Sequence, residues 1–355
     1  MKLRSALSLA GPIAALSLLA LGPSGCGRPA PHVVVYTSVD EVFARPVAES
    51  FTRETGIEVR LVPDTEETKS TGLLNRLIAE KERPQADVFW SGDPVRAALL
   101  KMKGVSAPYR STRSEGLPRE FSDPEDHWTG FSARARVLIY NRNLVPEGRE
   151  PRSVMDLLDP RFQGKACIAN PLFGTTSMHA AALFAVLRDE KAMAFFEGFR
   201  KNGGKMLSSN GEVRRRVADG EMAVGITDTD DANVARLEKK PIGVVYPDQG
   251  GMGTLIVPNC SVLIARGPNP EAGRAFIDYL LRPETEEALA RSDAAQMPLR
   301  KGVPVPEGVT PLDRLKPMAV DYETLAPRLT SLFWVIEPGK ELTAGFLKEW
   351  AERAQ

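Results

Sequence analysis

Polar and apolar positions in this chain alternate in blocks whose period switches between two and about 3.6 residues. His32 to Tyr36 (HVVVY) is a β-branched run, Thr37-Ser38-Val39-Asp40 is polar, and Phe43, Val47 and Phe51 then recur at helical spacing until Gly56. Ile57 to Val62 alternates as a second strand, Leu73, Leu74, Leu77 and Ile78 mark an amphipathic helix ending before Pro84, and Ala86 to Trp90 is a third strand running into Ser91-Gly92-Asp93. Phe131 to Tyr140 predicts a further strand and Pro151 to Gly164 a short helix and turn. Lys165 to Ala169 predicts a strand, and Met178–Arg188 and Ala192–Lys201 two helices. A helix bearing Val213 and Val217 precedes the strand Ala223–Ile226. Strands at Ile242–Tyr246, Thr254–Val257 and Ser261–Ala265, a helix over Pro270–Leu281 and a mostly helical tail after Leu312 complete the reading. Strands alternating with helices in this way predict an α/β fold with a parallel, doubly wound sheet, whose ligands sit beyond the carboxyl ends of the strands.

Polar residues at the strand ends are therefore the candidates for chemistry. The segment Ala223–Asn233 (AVGITDTDDAN) sets Thr227, Asp228, Thr229, Asp230 and Asp231 directly after an apolar run. Two unit charges about 4 Å apart repel by roughly 4 kcal/mol at an effective dielectric of about 20, so a partly buried cluster needs a cation, an array of donors or protonation. A solvated helix-capping loop is the plain alternative, because Asp and Thr are good N-caps. Asp40 and Asp93 close two other strands. Gly174-Thr175-Thr176-Ser177 opens a helix whose free N–H groups could take an anion or carboxyl group, or are simply capped by hydroxyls.

Composition narrows the function classes. The 355 residues, 43% hydrophobic, suffice for about two domains. Lys plus Arg (46) equals Asp plus Glu (46), so there is no basic excess of the kind that binds nucleic acid. Met1 to Cys26 has the order of an export signal: Lys2 and Arg4, an apolar stretch Ala6–Leu21 broken at Gly11-Pro12, then small residues. It is too short and broken for a membrane span. Ser24-Gly25-Cys26 resembles the end of a lipobox, with Pro23 where that motif takes Leu, so Cys26 is the expected lipidated first residue of a mature chain of net charge −2. Cys167 and Cys260 are either a disulfide or two separately buried thiols. No Cys/His spacing suggests zinc, and no nucleophile–base pair, metal-hydrolase motif or phosphate loop suggests an enzyme.

The passages VVVYTSVD, FTRETGIEV, ADVFWSGD, ARARVLIYN, AVGITDTDDAN and FIDYLLRPETEEALA, in this order, resemble the ferric-iron-binding, class II periplasmic solute-binding proteins of ABC importers. The resemblance implies a type II periplasmic binding protein fold: two doubly wound α/β lobes, a central cleft and a two-strand hinge. It divides the chain into a signal (1–25), a linker (26–31), lobe one (32–130 with 255–310) and lobe two (131–254 with 311–355). It implies a periplasmic monomer, tethered only through Cys26, that delivers a small solute or metal ion to a permease and has no catalytic cofactor.

On the same basis a His of the family falls at Asp40, a Glu at Gly92 beside Asp93, and a pair of adjacent tyrosines at Thr229 and Asp230. None of the six tyrosines here adjoins another. Asn210 falls where the family uses an Asn near the bound anion, and Gly174–Ser177 where it uses a helix N-terminus. Two ligand classes follow. In the first, Asp40, Asp93, Asp228 and Asp230, with Ser38 and Thr227 beside them, hold a cation as cargo: ferric iron, a divalent ion or an ammonium group. In the second, Gly174, Thr175, Thr176 and Ser177 with Asn210 take an oxyanion or the anionic end of an aminoalkyl phosphonate-like solute, and the aspartates take its amine. A sensor feeding a signalling system is a third possibility. Asp230, at a position the family uses for direct ligation, is the residue expected to be most sensitive.

Overall fold

The computed structural model describes residues 30–64, 71–335 and 343–354. The export signal, Cys26 and most of the linker lie outside them. Pro31–Gln355 clusters as one compact unit.

The first half opens β1 (His32–Thr37), α1 (Glu41–Thr55), β2 (Glu58–Pro63), α2 (Thr71–Ala79), β3 (Val88–Ser91), α3 (Pro94–Met102) and β4 (Ser106–Ala107). β1 lies parallel between β2 and β3. A parallel pair needs a crossover, and the helical stripe Ala44, Val47, Ala48 and Phe51 buries α1 against the sheet to supply one.

The long strand β5 (Thr129–Asn141) then carries the chain into the second half: β6 (Ala166–Ala169), α4 (Gly174–Lys201), β7 (Lys205–Leu207), α5 (Asn210–Ala218), β8 (Val224–Asp228), α6 (Thr229–Leu237) and β9 (Ile242–Val245). β6 runs parallel between β7 and β8. β10 (Ile256–Ile264) returns to the first half, followed by α7 (Pro270–Leu280), α8 (Pro283–Arg291), α9 (Tyr322–Phe333) and α10 (Phe346–Ala354).

One sheet path, β2-β1-β3-β10-β5-β8-β6-β7, joins the two halves. β5 changes partner along its length: Thr129–Ala135 pairs antiparallel with β10, and Arg136–Tyr140 antiparallel with β8. The strands expected over Thr254–Val257 and Ser261–Ala265 are a single strand, β10, with a register shift between Pro258 and Asn259. Pro258 has no N–H to give the ladder, and a bulge absorbs the misfit. The helices expected over Met178–Arg188 and Ala192–Lys201 form one continuous span, broken where Arg188 takes φ 65°. Packing of Phe184 on Phe196 across that break holds the two segments together. Cys167 and Cys260 are both buried free thiols, so the disulfide alternative does not hold. Among the described residues no helix is long and apolar enough to cross a membrane.

Candidate functional site

A cavity of about 430 Å³ lies at the carboxyl ends of the parallel strands, where the two halves face each other. The first half contributes Ser38, Asp40, Phe43 and Gly92, and the second contributes Gly174, Thr175, Thr176, Ser208 to Gly211, Arg214, Asp228, Asp230 and Asp231. Arg134, on the shared strand β5, completes the wall. Each strand breaks where a helix must begin, so the N-termini of α1, α4, α5 and α6 all meet this space, with N-cap residues Asp40, Phe173, Ser209 and Asp228. Only Ser209 caps its helix through its side chain, accepting the Glu212 N–H. Phe173 has no oxygen to offer, so the first amides of α4 face the cavity without a side-chain acceptor.

Asp228 does not cap α6 because its carboxylate is used elsewhere. Arg136 Nη1 donates to Oδ1 (2.9 Å), Thr175 Oγ1 to Oδ2 (2.6 Å) and Asn210 Nδ2 to Oδ2 (3.4 Å). The same guanidinium reaches Thr175 Oγ1 and Asn210 Oδ1 (3.1 Å each) and Thr176 Oγ1 (3.3 Å). Burial pushes the Asp228 carboxyl up, but the charges of Arg136 and Arg134 and the bonds from Thr175 and Arg136 outweigh it and hold the group below its ordinary value. His179 beside this pair is held neutral, its pKa lowered to about 3 by burial and then by Arg136.

Asp230, in the first turn of α6, is buried but poorly paired. Arg134 Nη1 stands 3.7 Å from its Oδ2 and 3.6 Å from Asp228 Oδ2, and its own Oδ1 accepts the Asp231 N–H (3.0 Å). Burial raises the Asp230 pKa to about 7, Arg134 pulls it down, and Asp231, Asp228 and Asp40 push it up again. Arg134 also donates to the Gly92 carbonyl, tying β5 to the end of β3. A Cβ on Gly92 would lie 3.2 Å from that guanidinium, so the close approach relies on glycine there. Asp228, Asp230 and Asp231 each bring one carboxylate oxygen within 4.8 Å of the others, a spacing that could hold a metal ion.

Of the residues anticipated, Ser38, Asp40, Gly174, Thr175, Thr176, Asn210, Asp228 and Asp230 all line this cavity. Asp93 and Thr227 do not. Asp93 is fully buried and N-caps α3, its Oδ1 taking the Arg96 N–H (3.0 Å) and its Oδ2 facing Arg96 Nη1 at 3.6 Å. Thr227 is fully buried and donates to Asp231 Oδ2 (2.8 Å) and the Asn210 carbonyl (3.2 Å). None of the six tyrosines lines the cavity.

The residues the sequence reading missed are Arg134, Arg136 and Arg214. For the first two a signal was available: two arginines at i and i+2 in the mostly apolar run Phe131–Tyr140 point to one face of a strand, and charges there must find partners. The acidic cluster thus meets its need for donors partly from within the chain.

Sequence and structure comparisons bear on the family and the fold. The profile of the family described as bacterial extracellular solute-binding protein matches residues 83–321. "Iron uptake protein A1" of Synechocystis is 28% identical over 307 residues, covering 83% of this chain and 81% of the relative. A Salmonella typhimurium periplasmic protein, named provisionally as a binder of 2-aminoethylphosphonate, is 27% identical over 272 residues, covering 75% and 74%. The solved Trichodesmium protein IdiA (FutA), in complex with iron and citrate, superposes with a TM-score of 0.74 at 22% identity, covering 91% of this chain and 99% of that one. The fold is thus that of type II periplasmic binding proteins, and the chain belongs to the family of bacterial extracellular solute-binding proteins.

Proposed function

We propose that this protein is the extracytoplasmic solute-binding component of an ABC importer, that it takes a solute with a positive centre at Asp230, and that it hands this cargo to a permease without chemical change. The observation that carries the reading is the carboxylate cluster Asp228, Asp230 and Asp231, its oxygens within 4.8 Å of one another, with Arg136 tight on Asp228 at 2.9 Å and Arg134 standing back from Asp230 at 3.7 Å. Asp40 adds a further carboxylate from the first half. All-oxygen donors suit a hard cation, ferric iron or a divalent ion. The iron-related names of the Synechocystis and Trichodesmium proteins support that choice.

A second reading has its own observation. Arg134 stands as a resident cation against Asp228 and Asp230, and the first turn of α4 is open to an anion. That combination favours a zwitterion such as an aminoalkyl phosphonate, its anionic end at Gly174–Thr176 and Asn210 and its ammonium at Asp230. The Salmonella relative points the same way.

Closure around the solute would move residues 32–130 with 255–310 against 131–254 with 311–355, turning where β5 exchanges β10 for β8. A monomer tethered through a lipid on Cys26 fits an importer component, and palmitate-analogue labelling that disappears in Cys26→Ser tests the tether. Elemental analysis with native mass spectrometry of the purified protein, followed by calorimetry with ferric citrate, calcium, magnesium and 2-aminoethylphosphonate, tests the cargo. Binding of a plain oxyanion that ignores Asp230→Asn would overturn the cationic reading.

A further inference from the structure

Helix α6 lines a second cavity with its other face. At helical spacing it turns Asp230, Asp231 and Val234 to the interlobe cavity, and Thr229, Asn233 and Arg236 to a separate cavity of about 310 Å³. Met297, the segment Gly308–Thr310, Ile242 and Val244 of β9, and Arg142 and Tyr246 also line that second cavity. Two arginines line it and no carboxylate does. Neither Arg142 nor Arg236 is in an ion pair among the described residues; Arg236 donates only to Asn233 Oδ1, at 2.7 and 3.1 Å. Gly308, at φ +91°, makes room for this arrangement: a Cβ there would come within 2.5 Å of the Arg236 guanidinium. Burial raises the Tyr246 pKa, so its phenol stays a neutral hydrogen-bonding group. Ile242, Val244, Met297 and Val309 give one part of the lining an apolar character, beside the polar Thr229, Asn233 and Thr310.

We infer that this cavity is a second ligand site, for a small organic anion whose carboxylate or phosphate oxygens meet Arg142 and Arg236 and whose apolar body lies against Val244, Met297 and Val309. Planar guanidinium forks match such oxygens, and uncompensated cations beside an apolar wall select a ligand that carries both features. The inference is independent of which solute the interlobe cavity takes. Because α6 lines both cavities, occupancy here bears directly on the helix that presents Asp230.

Calorimetric titration of phenyl phosphate into the mature chain tests it. The expected result is a Kd of about 1 mM or tighter, weakened at least about tenfold in R142Q/R236Q and unchanged in the interlobe variant R214Q. Phenol, which lacks the anion, should bind at least about tenfold more weakly. Both arginines are exposed, so the variant should keep the wild-type melting temperature. The inference is overturned by no binding up to about 10 mM, by loss in R214Q with none in R142Q/R236Q, or by equal binding of phenol.

Discussion

Asp228 and Asp230 stand two residues apart, carry the same charge and line the same cavity, yet their surroundings push them in opposite directions. Asp228 ends strand β8, and Arg136 from β5 meets it at 2.9 Å with Thr175 and Asn210 filling its other oxygen. Asp230 lies in the first turn of helix α6, and the nearest guanidinium nitrogen, on Arg134, is 3.7 Å away and shared with Asp228. One carboxylate is held ionised by a donor network and reads as architecture. The other is buried with a backbone N–H on one oxygen and a shared guanidinium 3.7 Å from the other, and it is the group we propose to meet the solute. Charge in a binding site therefore has to be counted after the internal pairs are removed.

The largest test removes the internal pair. Arg136→Ala leaves Asp228 buried without its main donor and should lower stability by about 3–5 kcal/mol, measured by urea denaturation. A loss below about 1 kcal/mol would mean the pair is not the structural element described.

Asp230→Asn should do the reverse. Affinity for a cationic cargo should fall roughly tenfold to a hundredfold, equivalent to about 1.5–3 kcal/mol for a lost charge-assisted contact, with no loss of stability. Calorimetry and thermal melts of the same preparation separate the two effects.

The acid–base behaviour sharpens the contrast. Because the folded pKa of Asp230 is raised to about 7 above its ordinary value of 3.8, the native state keeps a proton that the unfolded chain has released, and this group's contribution to stability falls as pH rises between those values. Asp228 is shifted down, so its contribution is present above the unfolded value and lost on acidification below it. Melting the wild type and Asp230→Asn side by side from pH 4 to 8 should show the first decline only in the wild type. Affinity for a cation should rise across the same window and level off above about pH 7.

Asp231→Asn should have the smallest effect. Asp231 raises the Asp230 pKa, so the variant should move the pH midpoint of binding downward and change affinity by less than about threefold for an ammonium cargo. A loss as large as that of Asp230→Asn would instead indicate a metal ion held by all three carboxylates.

Much of this was legible along the chain, and the limits are instructive. The alternation of β-branched runs with helical stripes showed the strands and crossovers, because backbone periodicity is set by residues a few positions apart. The strand-end positions of Ser38, Asp40, Asn210, Asp228 and Asp230 brought them to one cavity for the same reason. Asp93 was at an equivalent strand end but faces Arg96, three residues on in its own helix. Strand position locates a side chain near the sheet edge without deciding which neighbour it turns to.

What the sequence determined by itself was the α/β class, the order of the elements and the gathering of acids at strand ends, all consequences of local spacing and burial preference. What only the tertiary structure decided was how the site's charges pair with one another. Arg136 reaches Asp228 across 92 positions of sequence, and Arg134 reaches Gly92 across 42. Coulombic pairing acts through space with no periodic imprint on the chain, so which aspartate is already matched emerges only when β5 lies beside β8.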